Sequence, residues 1–290
     1  MIIIQISTWK KAVLLITAIL LTTIIVNAQT PSYQIYAIKF ADSTYPFSVG
    51  DWADGGSKTE KVEIDFMVWL IKGSNGKNIL VDAGFLGDTE DAKEFMIANY
   101  IRPDSALLKM GVKPADISDI ILSHPHWDHM GGINLFPNAR VWIQKEDFDY
   151  FVGAAWQKEG SNGGFAKRDV RQLVDLNLNG KVTLIEGDNK QILPGITVYT
   201  GSKHTFNSQY VLVNTGNNKV VLASDNIWIY YNLEHLTPAS TGGTLDPPGY
   251  IKAMQRMKSL VTDVKFIIPG HDAAIFSRFP KVVDGVAEIK

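Results

Sequence analysis

The sequence predicts a layered α/β fold in a single domain, on three observations. Short apolar, β-branched runs recur along the chain, helical patterns fall between them, and no linker or short-period repeat divides them. Phe66–Lys72, Asn78–Val81, Ile117–Leu122, Arg140–Ile143, Val182–Ile185, Ile196–Thr200, Tyr210–Asn214, Val220–Ala223 and Val264–Ile268 read as strands. Turn signals separate several of them, among them Gly73-Ser74-Asn75-Gly76, Asn177-Leu178-Asn179-Gly180, Gly187-Asp188-Asn189 and Thr215-Gly216-Asn217-Asn218. Helices are expected over Thr89–Tyr100 and over Ser105–Met110, the second started by Pro103-Asp104 and stopped by Gly111. A third, Tyr250–Val261 behind Pro247-Pro248, carries Ile251, Met254, Met257 or Lys258, and Val261 at helical spacing, with the methionines reading as core packing.

Composition narrows the function classes. The chain has 290 residues, 46% hydrophobic and 20% charged, with a formal net charge of −2 and both signs interspersed. That is globular composition without the basic stripe that neutralises nucleic-acid phosphates. There is no cysteine, so no disulfide and no thiolate is available, which leaves imidazole and carboxylate as metal ligands.

Residues 1 to 28 read as a cleavable export signal: Lys10 and Lys11 close a short n-region, Ala12 to Val26 is apolar, and Val26-Asn27-Ala28 offers a cleavage site. The uncharged run is about 15 residues, short of the roughly 20 that span a membrane. The mature chain is expected to be one domain over residues 29 to 290, periplasmic or secreted, without a stable membrane anchor.

The chemistry concentrates in Ser123-His124-Pro125-His126-Trp127-Asp128-His129-Met130-Gly131-Gly132, directly after the run Ile117–Leu122 and therefore in a loop at a strand end. His124 and His126, two apart in extended chain, can face one metal ion, while the turn through Trp127 lets Asp128 and His129 address a second. Gly131-Gly132 allows the sharp turn that follows.

This string resembles the H-x-H-x-D-H signature of the metallo-β-lactamase superfamily, and further landmarks follow over nearly all of the mature chain. Asp82-Ala83-Gly84 resembles the early Asp-x-Gly turn, His204 in Gly201-Ser202-Lys203-His204-Thr205 a third ligand of the first metal, Asp225 a bridging carboxylate, and His271 in Pro269-Gly270-His271-Asp272 the last ligand. The resemblance implies an αββα sandwich of two mixed sheets flanked by helices. It implies two divalent metal ions, with zinc the expected identity although the same ligands accept manganese, iron or cobalt. The first would be held by His124, His126 and His204, the second by Asp128, His129 and His271, with Asp225 between them. Asp82 reads either as a carboxylate orienting a ligand histidine or as a plain turn former. The remaining histidine, His235, has no motif context.

Two such ions support hydrolysis of a carbonyl substrate. No Gly-x-Ser-x-Gly elbow and no dinucleotide fingerprint is present, and His126 stands where iron-dependent flavodiiron members carry an acidic residue. Within the superfamily the layout looks most like the N-acyl homoserine lactone lactonases, which are quorum-quenching enzymes. That implies a small-molecule lactone or ester substrate and Asp128 as proton donor to the leaving oxygen. Phe85, Trp127, Trp228, Tyr230 and Tyr231 are the candidate substrate contacts. Several lactonases carry a Tyr three residues after the bridging Asp, and here that position is Trp228. The alternatives are a glyoxalase II-like thioesterase, an arylesterase, a β-lactamase, or a periplasmic protein that binds metal without turnover.

Overall fold

A computed structural model describes residues 31–290; the expected export signal lies outside the described residues. The strands are β1 (Tyr33–Ser43), β2 (Asp65–Gly73), β3 (Asn78–Val81), β4 (Ile97–Ala98), β5 (Ile117–Ile121), β6 (Arg140–Gln144), β7 (Val182–Ile185), β8 (Lys190–Leu193), β9 (Ile196–Thr200), β10 (Gln209–Asn214), β11 (Lys219–Ser224), β12 (Ile267–Pro269), β13 (Lys281–Val283) and β14 (Val286–Glu288). One sheet runs β13-β14-β1-β2-β3-β5-β6-β7 with β4 paired to β1, and the other runs β12-β11-β10-β9-β8. Both are mixed: β3, β5, β6 and β7 are parallel neighbours, as are β11 and β12, and the other pairs are antiparallel.

The strand β2 shows why the layers form. Its side chains alternate between faces, and both faces are apolar, so neither can be left to water. Phe66, Val68 and Leu70 enter a core shared with Ala106 and Leu107 of α1 (Pro103–Leu107), Phe148 and Phe151 of α2 (Lys145–Val152) and Leu173 of α3 (Lys167–Leu178). Met67, Trp69 and Ile71 enter a second core shared with Val198, Val211, Val220 and Leu222 of the facing sheet. The far side of that sheet presents Tyr210, Leu212 and Val221 to Tyr250, Met254 and Met257 of α4 (Pro247–Leu260). The order is helix, sheet, sheet, helix, an αββα sandwich. The methionine stripe of α4 is core, as its spacing indicates.

Two expectations change. Thr89–Tyr100 holds only one helical turn, Asp91–Glu94, before Ile97–Ala98 pairs with β1. Met96 and Asn99 take φ of 49° and 48°, left-handed values that no right-handed helix accommodates. Val264–Phe266 is a 3₁₀ turn capped by Asp263, so the strand begins at Ile267. The long strand β1 and the helices α2 and α3 were not expected. Gln34, Lys39 and Asp42 interrupt the apolar pattern of β1, which is held by pairing with β2, β4 and β14.

Among the described residues, no helix is long and apolar enough to cross a membrane.

Candidate metal centre

The chemistry-bearing side chains leave the strands at their C-terminal ends. Asp82 follows β3, His124 follows β5, Asp225 follows β11 and His271 follows β12. His126 caps a short helical turn, Trp127–Met130, which carries Asp128 and His129. His204 comes from the loop joining β9 to β10. Rigid strand ends and short loops therefore fix all seven positions.

Three sets of donor atoms lie within 4.8 Å of one another: His124, His126 and His204; Asp128, His129 and His271; and His124, His129 and Asp225. Asp225 stands between the first two sets, with Oδ2 3.3 Å from His204 Nε2 and Oδ1 3.1 Å and 3.0 Å from Nε2 of His129 and His271. Asp128 Oδ2 lies 3.3 Å from His129 Nε2. The seven residues singled out in the sequence are thus brought together.

Polar groups behind the site set which ring nitrogen faces inward. His129 Nδ1 donates to Asp82 Oδ2 at 2.8 Å, His204 Nδ1 to the Gly243 carbonyl at 2.8 Å and His271 Nδ1 to the Asp65 carbonyl at 3.2 Å. These oxygens accept only, so in each ring Nδ1 carries the proton and Nε2 presents its lone pair to the site when the imidazole is neutral. His124 shares its Nδ1 with Ser123 Oγ at 2.8 Å. His126 is turned the other way, with Nδ1 3.0 Å from His204 Nε2.

The donor set fits metal ions. His124 Nε2, His129 Nε2 and Asp225 Oδ1 are buried and make no hydrogen bond, although His129 Nε2 and Asp225 Oδ1 approach each other closely. Orphaned buried polar atoms cost free energy unless something binds them, and imidazole with carboxylate is the chemistry of zinc and its neighbours. Charge points the same way. Burial and the neighbouring histidines hold His124 well below the usual imidazole pKa, and burial and His204 hold His126 at about 3, so both rings are neutral donors. Burial opposes charge on His129 too, but the carboxylates of Asp128, Asp225 and Asp82 outweigh it and draw its pKa well up. Burial would also raise Asp225, yet His271, His129 and His204 hold it well below the carboxylate range. These buried anions need cationic partners.

The centre opens into a cavity of about 580 Å³. Trp52, Trp127, Phe165 and Trp228 wall it, the exposed Phe206 and Leu245 also lie on its lining, and Asp51, Asp91 and Glu94 are the further carboxylates there, with no Lys or Arg among the described residues that line it.

Of the aromatic candidates, Trp127 and Trp228 line the cavity. Phe85, Tyr230 and Tyr231 do not. Phe85 is fully buried under Trp127, with ring centroids 4.8 Å apart. Tyr230 is buried with Arg278 over its ring, and Tyr231 stacks on the exposed His235 at 3.8 Å. Trp228 donates its indole N–H to Asp225 Oδ2 at 2.8 Å. His235 has an ordinary surface setting, bonding the Tyr231 carbonyl.

Asp82 proves far more than a turn former. It sits at φ 61° and accepts from Ser123 N and Oγ, Ser224 Oγ and His129 Nδ1 at 2.8 to 2.9 Å. Ser224, Asp65, Gly243 and Gly164, where a Cβ would stand 2.7 Å from His126 Cδ2, were not singled out in the sequence. They act through backbone groups, hydroxyls or lack of a side chain, at sequence separations that no local motif reports.

The model of the metallo-beta-lactamase superfamily matches residues 67–271, and the chain belongs to that superfamily. An N-acyl homoserine lactonase from Bacillus cereus is 29% identical over 167 residues, 57% of this chain and 60% of that enzyme, so the match spans under two thirds of the relative's length. An N-acyl homoserine lactonase from a Bacillus species is 29% identical over 225 residues, 72% of this chain and 82% of the relative. In three dimensions the chain resembles a single-site mutant of Bacillus thuringiensis AiiA solved with N-decanoyl-L-homoserine bound at its active site. There the TM-score is 0.66 at 22% identity, over 87% of this chain and 98% of the other.

Proposed function

We propose that this protein is an exported, dinuclear metal-dependent hydrolase that opens the lactone ring of N-acyl homoserine lactones. The observation that carries the reading is the pair of ligand sets with Asp225 between them at the floor of an aromatic-walled cavity. The lactonase names of the curated relatives support the choice of substrate, and the apolar segment of residues 1 to 28 supports export.

His124, His126 and His204 would hold one ion and Asp128, His129 and His271 the other, with Asp225 shared and zinc the expected metal. When bound, such ions supply Lewis acidity towards a carbonyl oxygen and a strong nucleophile from water near neutral pH. The protein's own part is orientation and proton transfer. Asp128 lines the cavity, and its carboxyl is held down: burial favours the neutral acid, but His129 and His271 outweigh it. It therefore rests ionised, takes the proton released by the attacking water, and returns it to the departing ring oxygen. Trp127, Phe165 and Trp228 exclude water and give an acyl chain an apolar path to Phe206 and Leu245.

One observation favours a second reading. The indole N–H of Trp228 is engaged by Asp225, so this position has no free donor for a lactone carbonyl. An aryl ester or thioester hydrolase on the same centre is the alternative. A substrate panel on metal-replete protein separates them: lactones cleaved across chain lengths support the lactonase, whereas intact lactones beside a cleaved thioester or aryl ester overturn it.

A further inference from the structure

Trp228 is held both by its backbone and by its ring, and is half-buried. Its backbone N–H donates to Tyr250 Oη and its carbonyl accepts from His271 N, both at 3.0 Å. Its ring meets the edge of Trp52 at 5.1 Å and that of His204 at 5.7 Å. Beneath it lies Gly243, where a Cβ would stand 2.3 Å from Trp228 Cη2, so glycine is required for the indole to lie there. The Gly243 carbonyl also receives His204 Nδ1. From this seat the indole N–H reaches Asp225 Oδ2 at 2.8 Å.

A carboxylate on a short side chain turns readily about its last torsion, which has broad preferences. Asp225 has a division of labour that such turning would destroy: Oδ2 faces His204, while Oδ1 faces His129 and His271. The indole N–H is the single side-chain hydrogen bond to Oδ2 among the described residues, and Oδ1 has none.

We propose that Trp228 is a positioning residue whose indole N–H locks the rotation of the Asp225 carboxylate, so that one oxygen serves each half of the ligand set. Its N–H acts on the carboxylate while the face of the ring walls the cavity, which gives the indole nitrogen at this position a purpose of its own. The inference rests on the two-ion reading of the centre and not on the identity of the substrate.

Two variants of the full chain separate hydrogen bond from shape. Trp228→Phe removes the donor and part of the ring, while β-(3-benzothienyl)alanine incorporated at position 228 keeps the bicyclic shape and replaces N–H by sulfur. Metal-free protein is titrated with cobalt(II), read by visible absorbance and by competition with a chelator. Loss of a partner that orients a ligand typically weakens metal binding 10–100-fold. The expected result is that wild type takes up two equivalents, and both variants bind the weaker ion 10–100-fold less tightly. In turnover by the benzothienyl variant, which keeps the cavity wall, kcat falls while KM stays near its original value. Wild-type binding of both ions by the benzothienyl variant would overturn the proposal, because shape alone would then suffice, even if Trp228→Phe is impaired or fails to fold. Uptake of a single equivalent by wild type would sink the two-ion reading beneath it. Wild type that binds two ions without cleaving lactones would refute the lactonase assignment and leave the inference about Trp228 standing on its binding result.

Discussion

Replacing Asp82 by Asn tests whether the groups behind the ligands set the centre's metal affinity. Asp82 is fully buried and spends both oxygens: Oδ1 accepts from Ser123 N, while Oδ2 accepts from Ser123 Oγ, Ser224 Oγ and His129 Nδ1. In Asp82→Asn the backbone N–H of Ser123 cannot reverse its role, so the amide oxygen must stay at the Oδ1 position and the NH2 group takes the place of Oδ2. The serine hydroxyls can rotate to accept from it. His129 cannot do so while its proton stays on Nδ1. It either faces the amide donor to donor or moves that proton to Nε2, the nitrogen aimed at the ligand set. Leaving a buried donor unpaired costs about 1–3 kcal/mol, and forcing the ligating tautomer back costs a similar amount. That corresponds to roughly 10–100-fold weaker binding of the ion held with Asp128 and His271, as for other partners that orient ligands. Competition against a chromophoric chelator measures it. Unchanged affinity for both ions in a folded Asp82→Asn protein would refute the reasoning.

Other perturbations reach the remaining parts of the site. Gly164 sits at φ 77°, with a hypothetical Cβ 2.7 Å from His126 Cδ2, so Gly164→Ala should displace His126. A loss of about 1–2 kcal/mol in urea unfolding is expected from the left-handed backbone, together with weaker binding of the ion shared with His124 and His204; a wild-type metal titration would count against it. Asp147 is buried and accepts from Thr205 Oγ1 and Asn207 N, which pins the loop bearing His204; burial lifts its pKa to about 6, against these hydrogen bonds. Because the folded value lies above the unfolded one, this group's contribution to stability is fully present below about pH 4 and is lost as pH rises towards 6, a change on the order of 3 kcal/mol. Asp147→Asn should remove that slope, so in chelator the wild type's unfolding free energy should fall relative to the variant's by this amount between pH 4 and 7. A difference independent of pH would contradict the assignment. With Asp51, Asp91 and Glu94 on the cavity lining and no Lys or Arg there among the described residues, an ester carrying a free carboxylate should be a poorer substrate than its neutral counterpart. Asp91→Asn with Glu94→Gln should narrow the gap by about 2–5-fold at low salt, and the effect should vanish as salt screens it; a gap insensitive to both would show that charge plays no part.

The legible portion of this protein and the hidden portion differ in the distance over which their causes act. His124, His126, Asp128 and His129 lie within a single loop, and each of His204, Asp225 and His271 stands near a strand end, where an apolar run stops and a polar residue follows. The buried strands β2, β3, β5 and β11 announce themselves because both of their faces must be apolar. The strand β1 was hidden by Gln34, Lys39 and Asp42, its position being set by partners as remote as β14. The helix expected over Thr89–Tyr100 failed because the left-handed residues Met96 and Asn99 break a sequence of acceptable helix formers. Aromatic residues were the least legible part of the site. Phe85 and Tyr230 are as apolar as Trp127, and only packing decides which ring lines a cavity and which fills a core. The bond from Trp228 to Asp225 could not be foreseen either, since it depends on Gly243 leaving room for the indole.

Proton release on ring opening tests most directly whether the protein, with two metal ions on this ligand set, opens a lactone ring. Metal-replete protein is mixed in weak buffer with N-acyl homoserine lactones of short and long chain, beside the Asp225→Ala variant and a chelated sample. Rapid acidification by the replete protein, near-absent in both controls and recovered when metal is returned to the chelated one, is the result expected. Lactones left intact by protein shown to hold two ions, or acidification that persists in Asp225→Ala, would contradict the account.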